Sequence, residues 1–196
     1  KVRLQRLAYI EEVNVEKNPV PGTEDMVDVN ISVTERLSGS FNIGAGYSQS
    51  QGFVFNVGLQ MDNLNGEGRQ LAVNFNNDRS NTMYNVSFTN PYYTIDGISR
   101  TLNFNYHKRD ASQENISNYL TNAFGANIIY GVPLTEYSSI RLGYGYEHTE
   151  IQRGPLVTTS QDVLDLMEEY GEAPDFTTLN TRAIFDALTL TASFTY

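Results

Sequence analysis

Cysteine and tryptophan are absent from this 196-residue chain, and histidine occurs only twice. The lack of cysteine excludes disulfide bonds, cysteine-ligated zinc and thiol catalysis, and it leaves the cellular compartment open. Basic residues are also scarce: 13 lysines and arginines stand against 23 acidic residues, and the net charge is −10. A nucleic-acid-binding surface requires clustered basic residues, so we expect no nucleic acid among the partners.

Long apolar runs are missing as well. No segment approaches the roughly 18 apolar residues that a membrane helix requires. The residues from Lys1 to Arg6 lack the apolar core and cleavage site of a signal peptide. Because strand-like sequence begins at once, we expect the chain to be a piece of a longer protein. The many tyrosines and phenylalanines, 13 and 10, argue against intrinsic disorder.

Residues 1–36 differ from the rest of the chain by their dense charge. Two strand-like runs, at residues 3–15 and 26–33, flank a turn at residues 18–23 that is rich in proline and glycine. This pattern predicts a water-exposed hairpin at the end of a small soluble domain.

Residues 37–196 repeatedly show the period of two that is typical of strands. In one run, Leu102, Phe104 and Tyr106 share a face, whereas Asn103 and Asn105 share the other. We predict eight strands, at residues 39–47, 52–62, 69–77, 82–89, 98–107, 119–132, 139–149 and 183–196.

Three features favour a membrane barrel over a soluble β-sandwich, which also alternates. The centres of the runs carry almost no charge, with Arg141 and Glu147 as the main exceptions. A charge facing lipid at mid-depth costs about 2–4 kcal/mol, whereas a soluble outer face tolerates it. The polar face consists of Asn, Ser, Thr, Gln and Gly, which suits a wet lumen, and aromatic residues recur near the strand ends. The predicted fold is therefore an all-β, antiparallel transmembrane β-barrel.

The longest connection, residues 150–182, is predicted to be an extracellular loop. Ser160, Gln161 and Asp162 form a capping sequence for a short helix that Gly171 ends. His107 and His148 have no metal-ligand spacing, and no catalytic triad, phosphate-binding loop or pair of carboxylates stands out. We therefore expect neither an enzyme nor a metal or other cofactor.

Several stretches resemble the BamA family of outer-membrane assembly factors, within the POTRA-plus-barrel surface antigen superfamily. They are Val33-Thr34-Glu35-Arg36, residues 39–47, Asp62-Asn63-Leu64-Asn65-Gly66-Glu67-Gly68, and Asn90-Pro91-Tyr92-Tyr93 followed by Asp96-Gly97. The resemblance implies that residues 1–36 are the C-terminal hairpin of the last POTRA module, in the periplasm. Residues 37–196 would be the first eight strands of a sixteen-stranded barrel in the bacterial outer membrane. The family's Arg-Gly-aromatic motif and its closing strand are absent.

The resemblance also implies a function, which is to fold and insert other β-barrel proteins without covalent chemistry. The first barrel strand would pair with the substrate's strand at a lateral gate. The residues implied in that pairing are Phe41, Asn42, Ile43, Gly44, Ala45 and Gly46. The implied partners are nascent outer-membrane proteins, periplasmic lipoproteins of the assembly complex, and outer-membrane lipid and lipopolysaccharide.

Other functions remain open at this point. A polypeptide-secretion pore of the same superfamily shares the layout, and a small passive barrel or adhesin needs only eight strands. The glycines of the first strand also have two explanations. Gly44 and Gly46 either loosen the strand for substrate pairing or relieve crowding inside a tight barrel.

Overall fold

The computed structural model describes residues 4, 7, 9–22, 26–36, 38–49, 52–114, 119–135, 137–153, 161–171 and 182–196. Most of these residues lie in antiparallel strands, as predicted. None of the helices in the described ranges is long and apolar enough to cross a membrane.

The N-terminal hairpin consists of β1 (Ile10–Pro19) and β2 (Val27–Glu35), which form a separate two-stranded sheet. The turn between them closes where the Val20 amide donates to the Met26 carbonyl. The predicted start of the first strand at residue 3 is wrong, because β1 begins at Ile10 and the Leu7 amide donates to the Leu4 carbonyl before it. The physical reason is visible in the sequence: Leu4, Leu7 and Ala8 have the spacing of a helical turn and not of a strand.

The remaining strands form one eight-stranded antiparallel sheet in sequence order. They are β3 (Gly39–Ser48), β4 (Gly52–Leu64), β5 (Arg69–Asn77), β6 (Asn81–Asn90), β7 (Ser99–Asp110), β8 (Tyr119–Pro133), β9 (Ser139–Arg153) and β10 (Arg182–Thr195). All eight predicted strands are confirmed, with ends that differ by a few residues. The sheet is open, and β3 and β10 are its two edges. The small closed barrel would pair β3 with β10, and no such pairing exists among the described residues.

One side of the sheet, the apolar face, carries large apolar side chains that no other part of the described chain covers. Leu188 and Leu190 are 87% and 88% exposed. Only four apolar side chains of the described residues are buried. Ile10 and Val13 belong to the N-terminal hairpin, and the other two are the small side chains of Ala111 and Ala183. An apolar face of this extent is stable only against an apolar surrounding, which supports the membrane prediction.

Aromatic rings run across the upper part of this face. Phe75 stacks on Tyr84 with ring centroids 4.9 Å apart, and Tyr84 in turn contacts Tyr106 at 5.8 Å. On β5, β6 and β7 the apolar face has the same composition, with three apolar residues between two polar ones. From the lower to the upper end, the five residues are Arg69, Leu71, Val73, Phe75 and Asn77 on β5; Asn90, Phe88, Val86, Tyr84 and Thr82 on β6; and Arg100, Leu102, Phe104, Tyr106 and Lys108 on β7.

On each strand, the two polar residues that flank the three apolar ones are eight positions apart, or roughly 26 Å along the strand. At a typical barrel tilt of about 40°, that distance spans about 20 Å, somewhat less than the roughly 25 Å of an outer-membrane apolar band. We call this zone the belt. Its lower boundary is the end of the strands near the N-terminal hairpin, and its upper boundary is the end near the long loop.

The long loop contains a short helix, α1 (Gln161–Tyr170), as predicted. The proposed cap residue Ser160 lies outside the described residues. Gly171, the predicted stop, forms an isolated bridge with Ala183 at the start of β10. The Tyr170 ring lies 5.4 Å from that of Phe185, so the helix is held against the start of β10.

Tyr9 connects the N-terminal hairpin to the lower end of the sheet. Its carbonyl accepts a hydrogen bond from the Arg36 amide, and its hydroxyl lies against Gly68 in the β4–β5 turn. A Cβ atom on Gly68 would be 2.7 Å from that hydroxyl, and the Gly68 φ is +69°, so glycine is required twice over. Burial raises the pKa of the Tyr9 phenol, with smaller contributions from Tyr92 and Glu35.

Candidate strand-pairing edge

The strand predicted to pair with substrate, β3, is an edge strand. Its only partner among the described residues is β4, with an unbroken antiparallel register from Gly39 opposite Met61 to Ser48 opposite Gly52. Residues 41–46 lie in the middle of this strand, where the register places Ile43 opposite Val57. No strand of the described residues pairs with the other side of β3, which is the open edge of the sheet.

The hydrogen-bond phase of the β3–β4 pair determines which backbone groups face the open side. The Asp62 amide donates to the Ser38 carbonyl at 2.7 Å, so these two residues form a hydrogen-bonded pair. Hydrogen-bonded and non-hydrogen-bonded pairs alternate along an antiparallel ladder. The even-numbered residues of β3 therefore bond to β4, whereas the odd-numbered residues direct their N–H and C=O groups to the open edge.

This alternation divides the predicted residues into two groups. Phe41, Ile43 and Ala45 have backbone groups that face the open edge, and Asn42, Gly44 and Gly46 have backbone groups that bond to β4. Gly39 and Tyr47 belong to the first group as well, and sequence reasoning missed them. No sequence signal identifies the phase, because it depends on how the ladder begins at Ser38.

The side chains of the first group lie on the apolar face. Phe41 and Ile43 are 65% and 63% exposed, and the Tyr47 ring contacts that of Phe53 with centroids 5.1 Å apart. A strand added at this edge would thus extend the belt, and its own apolar side chains would lie beside these residues.

The side chains of the second group lie on the polar face and interlock with β4. A Cβ atom on Gly44 would press on the amide of Asn56, with Cγ at 3.0 Å and Nδ2 at 3.1 Å. In the same way, a Cβ atom on Gly58 would press on the amide of Asn42. Each asparagine covers the glycine opposite to it, so crowding explains Gly44. Crowding does not explain Gly46, because a Cβ atom there would have nothing within 4 Å among the described residues.

Ionisable chemistry plays no part at this edge, since residues 39–48 carry no acidic, basic or histidine side chain. Elsewhere among the described residues, no group of three or more His, Asp or Glu side chains is arranged to hold a metal ion. His148 instead lies 2.7 Å from the Asp186 carboxylate, which also accepts a hydrogen bond from the Tyr146 hydroxyl at 2.5 Å. What β3 offers is therefore a row of backbone donors and acceptors.

The family model of the Omp85 superfamily domain matches residues 63–196. The chain belongs to the Omp85 superfamily. It is 34% identical over 175 residues to the outer membrane protein assembly factor BamA of Neisseria meningitidis, covering 88% of this chain and 22% of that protein. The BamA of Buchnera aphidicola is 26% identical over 77% of this chain and 24% of its own length.

A solved structure has the same fold. The crystal structure of BamA from Haemophilus ducreyi lacking POTRA domains 1–3 superposes with a TM-score of 0.71 at 28% identity. The match covers 99% of this chain and 36% of that chain. The resemblance to BamA and the all-β barrel fold class are thus confirmed. The chain spans about a quarter or less of the length of these curated relatives.

Proposed function

We propose that the protein of which this chain is part folds and inserts β-barrel proteins into the bacterial outer membrane. In this proposal β3 is the first barrel strand, and its open edge pairs with a strand of the incoming protein at a lateral gate. The work is done by backbone hydrogen bonds, so neither a cofactor nor covalent catalysis is required.

The observation that carries the proposal is the alternation of β3. The N–H and C=O groups that face its open edge belong to residues whose side chains lie on the apolar face. An open edge in lipid leaves backbone groups without water, which costs several kcal/mol for each group. A second strand relieves that cost by β-augmentation, and it does so while it adds apolar surface to the belt.

The curated relatives favour assembly over secretion, since the BamA proteins of Neisseria meningitidis and Buchnera aphidicola are both named as assembly factors. The secretion pore of the same superfamily remains the second candidate, and transport of a soluble polypeptide in place of barrel insertion would identify it. A passive channel or adhesin has less support, because the eight-stranded sheet is open.

The proposal includes a location and partners. Residues 1–36 lie in the periplasm as the hairpin of the last POTRA module, and residues 37–196 lie in the membrane with the loop of α1 outside. Nascent outer-membrane proteins bind at β3, periplasmic lipoproteins bind the POTRA side, and lipid and lipopolysaccharide surround the belt.

Two adjacent proline substitutions in the full-length protein test the role of the edge. Ala45→Pro removes an N–H group that faces the open edge and leaves the β3–β4 bonds in place, whereas Gly46→Pro removes an N–H group that bonds to β4. Proline is tolerated where the lost N–H group faces away from the neighbouring strand. We therefore expect Ala45→Pro to fold but to assemble client barrels at least about tenfold more slowly, since several edge bonds are disturbed.

Gly46→Pro controls for a general effect of proline, and it should weaken the fold of the protein itself. Ala45→Gly controls for the side chain and should retain assembly. Folding is measured by the gel shift of the unheated protein, and assembly by the rate at which a client barrel becomes protease-resistant in proteoliposomes. Normal assembly by a well-folded Ala45→Pro protein would refute edge pairing.

A further inference from the structure

Arg100 lies on the lower boundary of the belt, on β7, away from the strand-pairing edge at β3. The proposed function gives this arginine no role. It is on the apolar face of β7, two positions before Leu102, and its register partners are Asn90 and Tyr130. Acidic residues outnumber lysines and arginines in the chain, 23 to 13.

Within the described part of the chain, no carboxylate lies within ion-pair distance of Arg100. Its Nε atom is buried and has no hydrogen-bond partner among the described residues. An arginine that is half-buried at the edge of an apolar zone, without an acidic partner among the described residues, is costly unless an anion binds its guanidinium.

The guanidinium is nevertheless held in a defined position. Its Cζ atom lies 4.0 Å from the centre of the Tyr93 ring, and the Tyr93 ring contacts that of Tyr130 at 6.1 Å. Stacking on an aromatic face leaves the edge of the planar guanidinium available for bidentate hydrogen bonds. Tyrosines at this depth are typical of the boundary between lipid tails and headgroups.

Arg69 provides an internal comparison. It lies on the same face and the same boundary, at the start of β5, but it forms an ion pair with Glu67 at 2.9 Å. One of the two arginines of this boundary is therefore neutralised within the chain, and the other is not.

We propose that Arg100, Tyr93 and Tyr130 form a binding site for the phosphodiester of a phospholipid in the leaflet that contacts the lower end of the sheet. The guanidinium binds the phosphate oxygens, and the tyrosine rings lie beside the first carbons of the lipid. The proposal rests on the proposed membrane position of the sheet. A lipid is the occupant because the site opens on the apolar face, where acyl chains continue along the belt.

The full-length protein in a nonionic detergent is titrated with phosphatidylglycerol, and the bound fraction is measured by native mass spectrometry. Diacylglycerol, which has the tails without the phosphate, and glycerol phosphate, which has the phosphate without the tails, are the two comparison probes. We expect saturable binding of phosphatidylglycerol, much weaker binding of diacylglycerol, and no retention of glycerol phosphate.

Arg100→Gln should weaken phosphatidylglycerol binding about tenfold, because a charge-assisted bidentate contact is lost. Tyr93→Phe should bind normally, since it keeps the aromatic face, and Tyr93→Leu should bind more weakly. Arg69→Gln is the matched control and should not change binding. Equal affinities of the wild-type and Arg100→Gln proteins, or an equal loss in Arg69→Gln, would overturn the proposal.

The readout contains no client protein, so it separates this proposal from the proposed function. If the Ala45→Pro protein loses client assembly but binds phosphatidylglycerol normally, edge pairing and the lipid site are both supported and are independent of each other. Normal assembly by Ala45→Pro together with loss of lipid binding in Arg100→Gln refutes edge pairing alone. If glycerol phosphate and phosphatidylglycerol bind equally well, the site recognises phosphate alone, and the proposal that its occupant is a phospholipid is refuted.

Discussion

Alanine substitutions at Gly44 and Gly46 separate the two explanations for the glycines of β3. Both residues lie on the polar face of one strand, two positions apart, and neither has a positive φ. Replacing glycine by alanine in a strand restricts the unfolded chain and stabilises the fold by about 0.5–1 kcal/mol at each position. This backbone contribution cancels when the two variants are compared with each other.

The difference that remains is steric. In Gly44→Ala the new methyl group meets the Asn56 amide, with Cγ at 3.0 Å, so that side chain must rotate out of its position over the strand. Overpacking of this kind costs about 1–3 kcal/mol. In Gly46→Ala the methyl group meets no described atom within 4 Å. We therefore expect Gly44→Ala to be less stable than Gly46→Ala by about 1–3 kcal/mol.

Urea unfolding of the full-length protein in detergent micelles gives the free energies of unfolding. Asn56→Ala should restore the stability of Gly44→Ala and leave Gly46→Ala unchanged, which makes a double-mutant cycle. Client assembly is measured in parallel. If Gly46 serves flexibility at the edge, Gly46→Ala is more stable but slower in assembly. A Gly46→Ala protein that loses as much stability as Gly44→Ala would refute the steric reasoning.

Three further outcomes follow from the geometry. A disulfide from Gly46→Cys to a cysteine on the strand that closes the barrel should block assembly reversibly, as measured with and without reductant, and full activity of the locked protein would exclude lateral opening. Gly68→Ala should loosen the hairpin, because its methyl group displaces the Tyr9 hydroxyl; spin-label distances between hairpin and sheet should broaden, and unchanged distances would contradict this contact. Although burial raises the pKa of Asp78, hydrogen bonds from Ser80 and Asn81 outweigh it and lower the pKa. The stabilisation by the Asp78 carboxylate is therefore present above its ordinary pKa and lost as the pH falls through the lowered value. Hydrogen-exchange protection of the Asn81 amide should fall with it, and protection unchanged at low pH would contradict the assignment.

The strands could be predicted from sequence because one physical demand governs them all. A sheet between lipid and water needs side chains that alternate in polarity, and β7 shows that alternation from Leu102 to Tyr106. The loop helix was also predictable, since a capping sequence and Gly171 bracket it. The start of the chain is predicted wrongly as a strand, although the spacing of Leu4, Leu7 and Ala8 is that of a helical turn.

The site was predictable only as a segment. Residues 41–46 follow from the resemblance, but the division between edge-facing and β4-facing residues depends on one hydrogen bond, from Asp62 to Ser38. Likewise, the cover of Gly44 by Asn56 depends on register, which brings together residues 12 positions apart. Arg100 has no sequence signal, because nothing in its neighbours along the chain indicates that it lacks an acidic partner.

The far edge of the sheet carries a last prediction. The Leu134 amide donates to the Ser138 carbonyl, which fixes the phase of β8 and β9, and the unbroken register with β10 carries that phase to the edge. The even-numbered residues of β10 therefore direct their backbone groups outward. Their side chains, including Leu188, Leu190 and Phe194, lie on the apolar face.

The open edges of β3 and β10 are thus alike: in both, the exposed backbone groups belong to residues of the apolar face. A strand with the sequence of residues 188–196 can pair with β3 and keep its apolar side chains on the same side of the sheet as Phe41 and Ile43. We expect a peptide of these residues to compete weakly with client strands for β3. The competition is measured as a loss of client cross-linking to the full-length protein.

The aromatic residues near the end of the peptide should matter most. Phe194→Ala or Tyr196→Ala should weaken competition about two- to fivefold, the effect of one cross-strand pair. Any belt strand that ends on an aromatic residue has the same appearance, so a scrambled peptide of identical composition is the required control. If the scrambled peptide competes equally well, the pattern reflects lipid contact alone, and β10 carries no information that β3 can recognise.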